Sequence, residues 1–193
     1  GISDIWTPPG DLKEHIGRAK KGQGINQKGD PFSDDQQILG FLKTLPIDSP
    51  FKKDADAATR WNNAFCLMAE LGLRPTEVNK LIIKKDPTTK EFYWFCTYEK
   101  KGGGGTTEPR RIEPLPLLDR DGKEVQWNLI DRFRANLLPL PDRVDGDACK
   151  VYLQRREGWK QLKEMMKKKE QANLVPYSFR HYYSLRGHIA GID

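Results

Sequence analysis

Three cationic positions that are far apart in the sequence could together bind a phosphoryl group and assist its transfer. They are Arg74, the pair Lys100–Lys101, and Arg180. A phosphoryl centre gains negative charge on its equatorial oxygens in the transition state, and fixed guanidinium groups stabilise that charge without a metal ion. A lysine on a mobile turn can also reach a leaving oxygen and protonate it. Taken singly, each position has a simpler interpretation, a salt bridge for the arginines and a solvent-facing turn for the lysines.

The residues around Arg74 predict a stiff corner between two helices. Gly72 can adopt the left-handed conformation that ends a helix, because it has no Cβ. Pro75 suits the first turn of the next helix, where an amide hydrogen would be unpaired in any case. Thr76 or Glu77 can accept hydrogen bonds from the free amides of that turn. A guanidinium group held in this way is a good bidentate partner for a phosphate or a carboxylate.

Hydrophobic periodicity predicts a mainly α-helical protein with one small antiparallel β-hairpin. The predicted helices are one capped near Ser33, then 54–71, a short helix through Val78, Leu81 and Ile82, then 124–138, 150–170 and 177–189. The predicted strands are 91–98 and 110–117, and a glycine-rich turn with Lys100 and Lys101 joins them. Residues 1–30 predict a linker or arm from a missing N-terminal domain, so the folded domain should span residues 31–193.

Composition indicates an acidic partner and a reducing compartment. The 193 residues suffice for one core, and the net charge of +6 makes nucleic acid the first partner to consider. The three cysteines are widely spaced, which argues against a disulfide framework and against a metal-ligand pattern. No apolar run is long enough to span a membrane, and no signal peptide is recognisable. We therefore expect a soluble cytoplasmic protein without a membrane partner.

The segment 150–170 carries eight basic and three acidic side chains. Such a helix could follow the phosphates of a nucleic acid, with Lys163 and Lys167 among the contacts, or it could simply be a solvated face. The sequence leaves both interpretations open.

The order and spacing of these segments resemble the tyrosine recombinase (phage integrase) family. Leu71–Val78 resembles its first-arginine box, a Gly-Leu-Arg-x-x-Glu pattern between two helices. The strand, the turn at Lys101 and the return from Arg110 resemble its lysine hairpin. Tyr177–His181 resembles its second box, which is usually His-x-x-Arg-His. The resemblance covers about residues 31–193 and predicts the catalytic-domain fold of this family.

The resemblance implies DNA strand cleavage and rejoining through a 3′-phosphotyrosine intermediate. Both arginines of the family bind the scissile phosphate, which here implies Arg74 and Arg180. The hairpin lysine is the general acid on the 5′-oxygen, which implies Lys101, with Lys100 as the alternative register. The bond energy is conserved in a protein–DNA ester, so no metal and no nucleotide cofactor is implied.

Other roles implied by the resemblance are supporting ones. Glu77 would support the arginine corner, and His181 would support the second box from behind. The expected DNA-contacting residues are Lys100, Arg110, Lys163 and Lys167. The expected partners are double-stranded DNA and further copies of the chain in a tetrameric synapse, in a nucleoid-associated protein of bacterial or phage type.

Two departures from the family pattern qualify this expectation. Tyr177 replaces the usual histidine, and a phenol with a pKa near 10 donates hydrogen bonds but is a poor base at neutral pH. The family continues beyond the position of Asp193 to a Gly-His box and the nucleophilic tyrosine. Tyr182 and Tyr183 follow the second box directly, in the wrong place to serve as nucleophile. We therefore expect the phosphate-binding half of a site in an inactive fragment.

Two other interpretations remain open. The parent protein could be a DNA-binding or regulatory relic of the same fold. Alternatively, the chain could be a basic helical interaction domain in which the boxes are coincidental. The latter would be favoured if Arg74 and Arg180 lay far apart in the structure.

Overall fold

The computed structural model describes residues 29–46, 50–100 and 107–191. The helices are α1 (Asp35–Lys43), α2 (Lys52–Leu71), α3 (Leu129–Arg134), α4 (Gly146–Gln154), α5 (Glu157–Glu170) and α6 (Ser178–Ile189), with a 3₁₀ helix at Pro75–Lys80. The strands β1 (Leu81–Lys85), β2 (Phe92–Cys96) and β3 (Arg110–Ile112) form one antiparallel sheet in that order. The predicted class, mainly helical with a small antiparallel sheet, is confirmed, with one strand more than expected.

Helix α2 forms the centre of the core. Every residue of its last two turns, 64–71, is buried, as expected for a helix enclosed on all sides. Helix α6 packs directly on it, since the Phe65 and Phe179 rings stack with centroids 5.3 Å apart. Phe32 contacts the same cluster, with its ring centroid 4.9 Å from that of Phe179. This aromatic packing sets the position of α6, and therefore of Arg180, against the end of α2.

The predicted short helix through Val78, Leu81 and Ile82 is wrong. The 3₁₀ helix ends at Lys80, and Leu81 begins β1, which pairs with β2 from Leu81 opposite Cys96. Leu81 is buried whereas Ile82 is exposed, which is the period-2 burial of a strand. The apolar spacing of Val78, Leu81 and Ile82 fits one helical face, but the β-branched residues there suit a strand equally well.

The predicted returning strand, 110–117, is also shorter than expected and ends at Ile112. Pro114 and Pro116 have no amide hydrogen to donate to a strand ladder. The amide of Leu115 instead donates to the carbonyl oxygen of Glu70 at the end of α2, over 2.8 Å. This segment therefore leaves the sheet and packs against the core helix.

Two predicted helices have different bounds in the structure. The predicted helix 124–138 is reduced to α3, and the predicted helix 150–170 is divided into α4 and α5 at Arg155–Arg156. The start of α5 packs closely on the end of α1, because a Cβ at Gly158 would lie 2.1 Å from Thr44 Oγ1. This tertiary contact accompanies a break that helical periodicity alone does not reveal.

Two further expectations concern the termini and membranes. The predicted arm, residues 1–30, lies almost wholly outside the described residues, and of this segment only residues 29 and 30 are described. The Asp30 amide donates to the Asn173 carbonyl over 2.9 Å, so residue 30 is already hydrogen-bonded to the folded domain. In the described ranges, no helix is long and apolar enough to cross a membrane.

Candidate active site

A fully buried carboxylate, that of Glu77 in the 3₁₀ helix, binds three arginines from three different elements. Arg110 binds it in bidentate fashion, with its two terminal nitrogens 2.7 and 3.2 Å from the carboxylate oxygens. Arg74 Nη1 lies 3.2 Å from Oε2, and Arg180 Nη1 lies 3.7 Å from Oε1. We call Arg74, Arg110, Arg180 and Glu77 the arginine cluster. It brings together the two arginines that the resemblance implies.

The corner that holds Arg74 has the predicted geometry. Gly72 ends α2 in the left-handed conformation at φ +67°, and a Cβ there would lie 2.2 Å from the Tyr183 ring. Pro75 begins the 3₁₀ helix, and the Arg74 amide donates to Glu77 Oε1 over 2.8 Å. Because Gly72 meets both a backbone and a packing requirement, the close approach of α6 to this corner depends on glycine.

Arg180 is anchored from the opposite side of the corner. Its Nη1 donates to the Gly72 carbonyl over 2.7 Å, so one guanidinium nitrogen links α6 both to the end of α2 and to Glu77. Its side chain is about 30% exposed, which leaves the remaining donors available to a ligand. The sequence could not reveal this contact, because the two partners are more than a hundred residues apart.

Sequence reasoning missed the role of Arg110 in this cluster and expected only a DNA contact. Arg110 lies on β3 opposite Cys96, and Ile112, two residues on, is buried opposite Trp94. Residues i and i+2 of a strand share a face, so the buried Ile112 signals that Arg110 also points inward. That alternation is the signal that could have located it.

The arginine cluster carries an excess of two positive charges, because one carboxylate faces three guanidinium groups. Burial raises the pKa of Glu77, but hydrogen bonds from Arg110 and Arg74 outweigh it and hold the pKa below its ordinary value. Burial, and next the positive charge of Arg74, lower the pKa of Arg180. These like charges are held close together in a partly buried place, which favours binding of an anion.

An open pocket of about 470 Å³ lies beside the cluster. Two cluster members line it, together with one face of α6, the end of α2 and the end of the sheet: Leu71, Gly72, Arg110, Arg111, Ile112, Glu113, Arg180, Tyr183, Ser184 and Gly187. Arg74 belongs to the arginine cluster through its contact with Glu77, but it is not among the described residues that line the pocket. An anion that enters this pocket would meet the three arginines among its described lining residues, Arg110, Arg111 and Arg180.

The two tyrosines after the second box are both engaged in hydrogen bonds. The Tyr182 hydroxyl donates to Asp35 Oδ1, and the Tyr183 hydroxyl donates to the carbonyl oxygen of Glu113. Burial, above all other causes, raises the pKa of both phenols. A phenol in this state is a weak nucleophile, although Tyr183 lines the pocket.

Tyr177 and His181 lie at the start of α6 on the protein surface. Tyr177 directly precedes the helix, is 40% exposed, and its ring centroid is 6.5 Å from that of His181. The His181 side chain is also exposed and lies beside Tyr177. The hydrogen-bonding role of Tyr177 and the supporting role of His181 stay predictions.

The lysines fall into two regions. Lys100 pairs with Thr107 across the hairpin, whereas Lys101 lies outside the described residues, so the choice between them as general acid stays open. On α5, the Lys163 ammonium donates to the Leu174 carbonyl over 2.8 Å, and Lys167 is exposed in the last turn.

The described residues include no group of three potential metal ligands among histidine, cysteine, aspartate and glutamate.

The fold and the site together define a mainly helical protein in which a buried glutamate holds three arginines beside an open pocket. The chain matches no protein-family model, no curated protein and no solved structure.

Proposed function

We propose that this chain carries the phosphate-binding part of a DNA strand-cleaving and rejoining enzyme of the tyrosine recombinase class. The observation that carries the proposal is the arginine cluster, in which Arg74 and Arg180 bind one buried carboxylate beside an open pocket. The interpretation that the sequence boxes are coincidental would have gained from two widely separated arginines, and this arrangement does not supply that support.

The chemistry of phosphoryl transfer suits this cluster. A phosphodiester carries one negative charge, and a second develops as the attacking group adds to phosphorus, so an excess of two positive charges matches the transition state better than the ground state. Glu77 holds the guanidinium groups in place before a ligand binds, which lowers the cost of reorganising them. In this proposal Arg180, which lines the pocket, and Arg74, whose side chain is 28% exposed, bind the scissile phosphate, and Arg110, which also lines the pocket, is a further contact to it.

The hairpin supports a role for a lysine as general acid. Strand β3 contributes Arg110 to the cluster, and the chain runs from Lys100 to this same strand through residues 101–106, which lie outside the described residues. Lys100 and Lys101 are therefore close in sequence to an element that would flank a phosphate bound at the cluster. The proposal assigns Lys101, or Lys100 in the alternative register, to the 5′-oxygen, and Tyr177 to a hydrogen bond with a phosphate oxygen. It further includes double-stranded DNA, a tetrameric synapse and no cofactor.

The tyrosines after the second box do not separate the enzyme from the alternative of a non-catalytic DNA-binding relic, because neither hypothesis uses them as the nucleophile. Tyr182 and Tyr183 are the tyrosines that follow the second box, and both are hydrogen-bonded with a raised pKa. Neither is poised to attack a phosphate. The alternative predicts DNA binding by the parent protein without a covalent protein–DNA adduct, whereas the enzyme forms one.

The double variant Arg74→Gln/Arg180→Gln tests the proposal through DNA affinity. We expect it to bind duplex DNA at least about tenfold more weakly, because charge-assisted hydrogen bonds contribute about 1.5–3 kcal/mol each. The slope of log affinity against log salt should fall by about one, the value for one released phosphate contact. Fluorescence anisotropy at several salt concentrations measures both quantities.

The matched control is Arg120→Gln/Arg143→Gln, which removes the same charge from exposed positions elsewhere. It should leave the affinity nearly unchanged. An equal loss in both double variants would mean that only net charge matters, and it would contradict a specific phosphate site.

A further inference from the structure

A second pocket, of about 590 Å³, lies between α4, α5 and the segment that precedes α6. Its lining includes three lysines, Lys150, Lys160 and Lys163. Apolar side chains, among them Trp159, Leu174 and Pro176, form much of the rest. None of the described residues that line it is acidic. It is thus a concave cationic surface, unlike the rest of the exposed face of α5, which also carries Glu164 and Glu170.

One ammonium of this lysine pocket is held in place by the backbone. Lys163 Nζ donates to the Leu174 carbonyl over 2.8 Å, which fixes its position at the pocket wall. Burial lowers the pKa of Lys163, and the charges of Lys150 and Lys167 lower it further, so three ammonium groups lie near one another. Lys160 has one described ion pair, a 3.8 Å contact with the exposed Glu157. An anion in the pocket would relieve this repulsion.

The lysine pocket is connected to the arginine cluster through the start of α6. Pro176 lines the lysine pocket, and Arg180, four residues later, lines the pocket beside the cluster. Four residues span at most about 14 Å even when the chain is fully extended, so a single extended polyanion can reach both places. The exposed Tyr177 lies between them in the sequence.

We propose that the lysine pocket binds a phosphate group, and that on DNA this group is a backbone phosphate near the one held by the arginine cluster. The assignment to a backbone phosphate rests on the proposed function, whereas the phosphate site itself does not. A row of fixed cations along one backbone fixes the register of a nucleic acid without reading its sequence.

The test uses Lys150→Gln/Lys160→Gln, which leaves the Lys163 hydrogen bond intact. We expect its duplex-DNA affinity to fall about tenfold and its salt slope to fall by about one, since one phosphate contact contributes about 0.9. The control, Lys168→Gln/Lys169→Gln, removes the same charge from exposed positions on α5 and should change affinity less than about twofold, because screening is strong beyond about 8 Å.

A second arm identifies the source of the phosphate. In NMR titrations of the unaltered protein, both pyrophosphate and duplex DNA should shift the side-chain signals of Lys163, and the lysine variant should lose both responses. A response to pyrophosphate with unchanged DNA affinity in the variant would overturn the backbone assignment. If the Lys163 signals responded to neither pyrophosphate nor duplex DNA, the proposal that the pocket binds phosphate would be wrong.

The same measurements separate this inference from the proposed function. If Arg74→Gln/Arg180→Gln binds DNA as the unaltered protein does while the lysine variant binds weakly, the arginine proposal is wrong and the lysine pocket stands. If the arginine variant alone binds weakly, the lysine pocket as a DNA contact is wrong.

Discussion

Replacing Arg180 by alanine is expected to slow DNA strand cleavage by about 10²-fold or more in a parent protein that supplies the nucleophilic tyrosine. Removing one preorganised donor to a developing oxyanion costs about 10²–10³ in rate. Arg180 faces the pocket with part of its guanidinium group, and its link to the Gly72 carbonyl fixes that geometry. The measurement is the rate of covalent protein–DNA adduct formation, without added metal.

A substrate with a 5′-bridging sulfur distinguishes this role from that of the lysine. Lys101→Ala should also slow cleavage by about 10²-fold, on the scale of a lost general acid. A thiolate leaves without a proton, so the sulfur substrate should largely restore the rate of the Lys101 variant and should not restore that of Arg180→Ala. Equal rescue of both variants, or of neither, would contradict this division of roles.

Replacing Glu77 by glutamine is expected to destabilise the fold by about 3–5 kcal/mol, the range for removing one partner of a buried ion pair. The carboxylate is fully buried and is the shared counterion of three guanidinium groups. Without it, Arg110 loses the partner of its bidentate contact, and three positive charges remain close together. Urea unfolding measures the loss, and Glu157→Gln, at an exposed carboxylate, is the control with an expected change below about 1 kcal/mol.

The Glu77 variant also has an expected pH and ligand dependence. Since hydrogen bonds from Arg110 and Arg74 hold the pKa of Glu77 below its ordinary value in the folded chain, its ionisation stabilises the fold above that ordinary pKa. The contribution is lost as the pH falls through the lowered pKa. Glu77→Gln should therefore show a flatter loss of stability in acid. Added phosphate should restore part of its stability, because an anion that binds only the folded state stabilises it. A destabilisation below about 1 kcal/mol would show that the carboxylate does not organise the cluster.

Local chemistry explains which parts of the site the sequence could predict. The corner from Gly72 to Glu77 depends on residues that are close in sequence. They are a glycine in the left-handed conformation, a proline in the first turn, and a carboxylate that accepts a hydrogen bond from the amide three residues before it. Helix α2 and the two hairpin strands likewise follow from periodicity and from aromatic residues of high strand propensity. The confirmed class, mainly helical with a small sheet, rests on such signals.

The errors come from long-range contacts. β1 pairs with a strand that the sequence places beyond a turn, so Leu81 and Ile82 could be read as either helix or strand. The break before α5 accompanies the close contact of Gly158 with Thr44, and Pro114 and Pro116 shorten β3. Such pairings depend on tertiary packing, which overrides local propensity.

The arginine cluster shows the same limit for function. Arg74 and Arg180 were linked through the family resemblance, whereas Arg110 was expected only on a DNA-facing strand. Its bidentate contact with Glu77 spans more than thirty residues, and only the alternation with Ile112 indicates that it points inward. The buried glutamate is thus a more central residue than its expected supporting role suggested.

Binding of a DNA phosphate by the arginine cluster should be visible directly in NMR spectra of the arginine side chains. Duplex DNA is titrated into protein labelled with ¹⁵N at arginine, and the Nε–H signals of Arg74, Arg110 and Arg180 are followed. We expect the Arg180 and Arg74 signals to shift and to saturate at the same DNA concentration as the binding measured by anisotropy. Unchanged signals from all three arginines at saturating DNA would contradict it.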